Sequence, residues 1–207
     1  MPGMLDIRGG LARHEPKILA SPSNRGAAVA IVLREAEGGP EMLFIERARR
    51  VGDPWSGHMA FPGGRIDPED AHARDAAERE TREEVGVDLT RAEPLGRLDD
   101  LRGRHAAAPD HGLVISAFVY HAVAPAPLEP NWEVEEAFWF PVPALLDAER
   151  HVEYAVRPDS ELRFPGILVG APERHVIWGL TYRFLEVFFE IIGKPLPDRW
   201  DDFGARP

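Results

Sequence analysis

Glu80, Glu83 and Glu84 fall three and four positions apart in the stretch AAERETREEVG, which reads as a helix. With Glu80 at zero on a helix advancing about 100° per residue, Glu84 falls near about 40° and Glu83 near about −60°. Three carboxylates therefore share one side of the helix, and each like-charge pair at this spacing costs about 0.2–0.5 kcal/mol. One reading is a solvated acidic face, balanced by Arg79 and Arg82. The other is a divalent-cation site, because hard cations such as Mg²⁺ take several carboxylate oxygens and complete their shell with water and substrate phosphate. The preceding FPGG favours the second reading. Paired glycines, Gly63 and Gly64, let the backbone turn sharply and approach a ligand closely.

The elements that must hold this site can be read outward from it. The helix is expected to begin between Asp67 and His72, with Asp67–Pro68 as cap and first-turn pair and Asp70 as a second cap, and to stop at Gly86. Upstream, GAAVAIVLR reads as a buried strand. EAEGGPE reads as a turn cluster closing a long-looped hairpin with a second strand, MLFIERA, and HMAFP as a short strand leading into the glycines. Downstream, strands are expected at PLGRLDD, GLVISAFVYHAV, EAFWFPV, HVEYAV and RFPGILV, with a mobile loop at LRGRHAAAPDHG. The segment HVIWGLTYRFLEVFFEIIGKP reads as a helix with Ile177, Thr181, Phe184, Leu185, Phe188 and Ile192 on one face, ended by Gly193 and Pro195. Residues 1–25 read as an N-terminal arm and residues 26–207 as one α/β domain.

Composition narrows the classes. The 207 residues carry a formal net charge of −11, so nucleic acid and anionic membranes are not the expected partners. Cysteine is absent, which excludes disulfides and thiol chemistry. There is no apolar run of membrane-spanning length and no apolar signal core near the start, so a cytoplasmic protein is expected.

The stretch GGRIDPEDAHARDAAERETREEVGV resembles the Nudix box through Gly64, Asp70, Arg79, Glu80, Glu83, Glu84, Gly86 and Val87. It departs from the box in three places. Thr81 stands where an aliphatic residue is usual, the first acid is Asp70 rather than Glu, and Asp70 lies one residue further from Arg79. The resemblance implies an α/β Nudix fold, a mixed sheet sandwiched between helices. It also implies Mg²⁺- or Mn²⁺-dependent hydrolysis of small-molecule diphosphates. By position, Glu80 and Glu84 would be the main metal ligands, Glu83 a third or a ligand through water, the Gly64 carbonyl a further oxygen, and Arg79 the partner that holds the glutamates. Glu133 is the leading candidate for a later base or ligand, with Glu135 and Glu136 behind it.

A wider window is similar to the coenzyme A diphosphatase branch: Gly57, then HMA, then FPGG, with VIWGLTYRFL later. That branch usually carries an arginine where this chain has Asp53. Arg49 and Arg50 are the nearby cations that could bind phosphate, beside Arg47, and Trp55 could stack on adenine or pack locally. ADP-ribose-like or broader nucleotide diphosphates, and a ligand-sensing module without catalysis, are the alternatives. Phe184, Phe188 and Phe189 suit the core or a homodimer contact better than a base platform. Asp99 and Asp100 fit a turn better than the metal.

Overall fold

The computed structural model describes residues 1–20, 26–52, 55–103, 113–156, 161–172 and 174–199. Its centre is a strand pair rich in β-branched and aliphatic residues. Strand β1 (Gly26–Ala36) runs parallel to β7 (Leu113–His121), and both are buried over most of their length. Around them the sheet runs β3 (Met59–Ala60), β2 (Gly39–Arg47), β1, β7, β5 (Glu93–Arg97). Three strands lie off this path: β4 (Gly63–Arg65) on β1, β6 (Leu101–Gly103) on β7, and β8 (Val134–Pro141) on β2. All pairings except β1 with β7 are antiparallel, so the sheet is mixed as expected.

Alternation along the strands builds a core on each face. On one face, Ala28, Ala30, Val32, Leu43 and Ile45 pack with Ala76, Ala77 and Val85 of helix α2 (Ala73–Val85). On the other, Ile31, Leu33, Met42 and Phe44 pack with helices α1 (Met4–Arg13) and α3 (Gly179–Ile191). A second sheet, β9 (His151–Tyr154), β10 (Phe164–Leu168) and β11 (Val176–Ile177), leads into α3.

Several expectations need correction. The β1–β2 hairpin is tight: Ala36 pairs with Gly39, so the turn cluster is absorbed into the strands. Leu101–Gly103, expected in a loop, forms β6 against Leu113–Ile115, and the rest of that loop lies outside the described residues. The last helix starts later than expected, because Val176–Ile177 pairs with β10 first. Its buried side is Tyr182, Phe184, Leu185, Phe188 and Phe189, which places those phenylalanines in the core of this chain.

Within residues 1–25, α1 contributes Met4, Ile7 and Leu11 to the main core. Asp99 accepts the Lys17 backbone N–H and Asp100 that of Leu19, both at 2.9 Å, so this acidic pair fastens the N-terminal segment.

Candidate active site

Helix α2 is capped at its C-terminus by Gly86 in the left-handed conformation, as the sequence predicts. At its N-terminus the flanking residue is His72, whose backbone N–H donates to the Asp75 carboxylate at 2.9 Å. Asp70 is therefore free for another task. Thr81 is fully buried, and its hydroxyl donates to the Ala77 carbonyl at 2.7 Å. That bond satisfies the polar atom and leaves the methyl group to fill the place of the usual aliphatic residue.

The glycines fix where the carboxylates sit. Gly63 has φ +151° and lies so close to β1 that a β-carbon there would meet the Val29 Cα at 2.6 Å. Its N–H donates to Glu84 Oε2 at 2.8 Å. Gly64 lies flat against the Glu80 carboxylate, with no room for a side chain between them. Glu84 is only 2% exposed. Burial pushes its carboxyl up to about 8, against the pull of the Gly63 N–H, with Glu80 adding to the rise. Burial also raises Glu80, and Arg79 opposes that rise.

Arg79 is the hub beneath the site. Its Nε and Nη2 fork onto Asp70 at 3.2 and 2.9 Å, Nη2 donates to the Arg65 carbonyl at 3.1 Å, and Nη1 reaches Glu80 at 2.9 Å and Glu83 at 3.4 Å. The Asp70 side chain is 6% exposed, and its bonds to Arg79 hold its carboxyl below the ordinary range. The odd spacing and the shorter acid thus still deliver a carboxylate to the arginine.

Glu133 arrives from the other side, just ahead of β8. One ligand oxygen from each of Glu80, Glu84 and Glu133 lies within 4.8 Å of the others. The third glutamate of the helix is placed differently: Glu83 is 52% exposed and pairs with Arg79 at 3.4 Å. Three hard oxygens, two of them in carboxyl groups that burial makes costly to charge, fit a divalent cation.

Arg50 Nη2 pairs with Glu133 Oε1 at 3.1 Å. Arg49 folds its guanidinium over Gly57, 3.4 Å from where a β-carbon would stand. Trp55 is 44% exposed, and Asp53 lies outside the described residues.

Residues 24–159 match the NUDIX domain. The chain belongs to the Nudix family. It is a Nudix hydrolase, a diphosphatase acting on phosphoric anhydride bonds. It is 29% identical to "Mitochondrial coenzyme A diphosphatase NUDT8" of Homo sapiens, over 92% of this chain and 78% of that protein. Against "Uncharacterized Nudix hydrolase NudL" of Citrobacter koseri the identity is 28%, over 80% of this chain and 82% of that one. Among solved structures, a MutT/nudix family protein from Enterococcus faecalis aligns with 93% of this chain and 70% of its own at a TM-score of 0.51 and 18% identity, which supports the fold. Among the described residues, no helix is long and apolar enough to cross a membrane.

A second acidic group was not anticipated. Glu46 and Glu136 are cross-strand partners on β2 and β8, and His175 Nε2 stands 3.4 and 3.2 Å from their carboxylates. Arg174 forks onto Glu46 and reaches Glu136 at 3.4 Å. The His175 Nδ1 accepts the Ala171 N–H at 3.1 Å, so the neutral ring carries its proton on Nε2, facing the carboxylates. Among the described residues that nitrogen makes no hydrogen bond, and with Glu46 and Glu136 it belongs to a second group whose ligand atoms lie within 4.8 Å of one another. The group is an ion-pair clasp that ties the chain ahead of β11 to the β2–β8 ribbon.

Proposed function

We propose that this Nudix hydrolase is a divalent-cation-dependent coenzyme A diphosphatase, cutting coenzyme A or its derivatives to 4′-phosphopantetheine and adenosine 3′,5′-bisphosphate. The observation that carries the cation dependence is the convergence of Glu80, Glu84 and Glu133 within 4.8 Å. Support for the substrate comes from the similarity to NUDT8 along most of the chain, together with the segment from Gly57 to FPGG.

In this reading Glu80 and Glu84 hold Mg²⁺ or Mn²⁺. Glu133 completes the set as third oxygen or as base, and the Gly64 carbonyl adds an oxygen. Glu83 takes part through water, in keeping with its exposure. When bound, the cation neutralises the diphosphate and makes water a better nucleophile.

The chain's own residues do the positioning. The Gly63 N–H orients Glu84, and Arg79, held by Asp70, orients Glu80. Arg49, Arg50 and Trp55 border the substrate from the loop before the glycines. With a chain charge of −11, cations are also what make the site attractive to an anion.

Asp53, where the branch usually has arginine, favours a second reading in which ADP-ribose or a broad range of nucleotide diphosphates is cut. A ligand sensor without catalysis is the third, and it is opposed by the retention of all three helix glutamates. A cytoplasmic setting belongs to the proposal. The NUDT8 name carries a mitochondrial one, and cell fractionation decides between them.

The test is a panel of coenzyme A, ADP-ribose and dinucleoside polyphosphates with Mg²⁺ or Mn²⁺, products separated by chromatography. Coenzyme A should be cut fastest, and Glu84→Gln should lower turnover at least ~100-fold, as several kcal/mol of metal catalysis require. Fast cleavage of ADP-ribose alone refutes the substrate, and near wild-type turnover in the variant refutes the site.

A further inference from the structure

Trp132 is 74% exposed, although large aromatic side chains are normally covered. Its backbone is nevertheless fixed on both sides. The Glu129 and Asn131 N–H groups donate to the Val85 and Glu84 carbonyls at 3.0 and 2.9 Å, which stitches the loop to the last turn of α2. The Asn131 side chain accepts the Glu133 N–H at 2.7 Å, and the Glu133 carbonyl accepts the Ala48 N–H at 2.8 Å. An exposed ring on a rigid support is thereby placed directly beside Glu133, one of the three converging carboxylates.

Arg50 orders the ring further. Its guanidinium carbon lies 3.8 Å from the Trp132 ring centre while Nη2 holds Glu133, so one cation links the ring to the carboxylate cluster. The contrast with Trp139 is informative. It too carries an arginine, Arg34, at 4.5 Å, but it is half-buried and packs against the α2-side core. That pair is explained by packing. The Trp132 pair leaves most of an aromatic surface facing water at the edge of the site.

We propose that Trp132, braced by Arg50, is the platform on which the substrate's nucleobase stacks. The proposal rests on the reading of the site as one for nucleotide-linked diphosphates, and it supplies the base contact that reading lacks. A ring face offers affinity without demanding a particular base, because every base has a π-face. A flanking guanidinium suits a ligand that carries phosphate next to a base. Specificity between bases must then come from elsewhere in the loop.

Adenosine 5′-monophosphate is the probe, titrated against the full chain and followed by tryptophan fluorescence and calorimetry, with ribose 5-phosphate as the base-free control. The wild type should bind the nucleotide with quenching and bind the sugar phosphate more weakly. Trp132→Ala should weaken nucleotide binding about 5- to 150-fold and leave ribose 5-phosphate unchanged. Trp132→Phe should restore most of it. No nucleotide binding by the wild type, equal loss for both probes, or loss in Trp55→Ala but not in Trp132→Ala overturns the platform. Nucleotide binding that depends on Trp132 in a protein that cuts no diphosphate would uphold the platform and remove the reaction. Diphosphate cleavage with nucleotide affinity indifferent to Trp132 would do the reverse.

Discussion

Replacing Gly64 with alanine should separate activity from stability. The residue sits in β4 without a left-handed φ, so alanine suits its backbone. The new methyl group would meet the Glu80 carboxyl group, with even the farther oxygen, Oε2, at only 2.8 Å. Ordinary contact begins near 3.4 Å, so the carboxylate must retreat by more than half an ångström at one oxygen and about 1 Å at the other. The obstacle is the far end of a flexible side chain and not backbone, so it can swing aside at small cost to the fold while straining its bond to Arg79. The unfolded chain also loses some freedom, worth about 0.4–1 kcal/mol in favour of the variant. The melting temperature should therefore stay within a few degrees of wild type.

A displacement of about 1 Å in a positioned group is worth about 100-fold in rate, close to 2.7 kcal/mol of transition-state free energy. The assay is kcat/KM for diphosphate hydrolysis with Mg²⁺, beside a thermal melt. Gly63→Ala is the contrasting variant. There the methyl group meets the backbone of β1 at a φ of +151°, so the fold itself should suffer. A Gly64→Ala enzyme within threefold of wild type would refute the argument that Glu80 works from the place the structure gives it.

The Asp70 fork on Arg79 predicts that Asp70→Asn lowers turnover about 10- to 100-fold, as loss of a group that orients a metal ligand's partner commonly does. The Asp70 carboxyl is held below its ordinary value, so its stabilisation is present above about pH 4 and fades as pH falls through the lower folded value. Urea midpoints between pH 5 and pH 3 should accordingly fall more for wild type than for Asp70→Asn. Ile7 is fully buried, and Ile7→Ala should cost about 2–5 kcal/mol by urea unfolding while turnover per folded molecule is kept. Coenzyme A and its 3′-dephospho form should be cut at similar rates, because Asp53 replaces the branch's arginine. A strong preference for the full cofactor that Arg49→Glu erases would instead give the 3′-phosphate to Arg49.

The site was more legible in the sequence than its surroundings. A helix puts Glu80 and Glu84 on one side by geometry alone, and the glycines before it announce a close approach. Glu83 shares that side by projection, which cannot show that its side chain stands half in solvent, outside the group of Glu80, Glu84 and Glu133. Asp70 was read as a cap, since its partner lies nine residues on and spacing within a loop does not reveal a side-chain fork. The N-terminal segment looked like an arm because Met4, Ile7 and Leu11 are sparse apolar residues among polar ones. Their helix is held by the core they enter and not by its own propensity. The clasp of Glu46, Glu136, Arg174 and His175 joins three distant segments and left no local pattern. Trp132 likewise gains its meaning only from Arg50, more than eighty positions earlier.

The central claim is that Glu80, Glu84 and Glu133 form one cation site. An anomalous-difference map from crystals soaked in Mn²⁺ tests it most directly. The predicted result is a peak bound by oxygens of all three carboxylates beside Gly64, and its loss in Glu84→Gln. A map with no peak there, or with Mn²⁺ only at Glu46, Glu136 and His175, would contradict it.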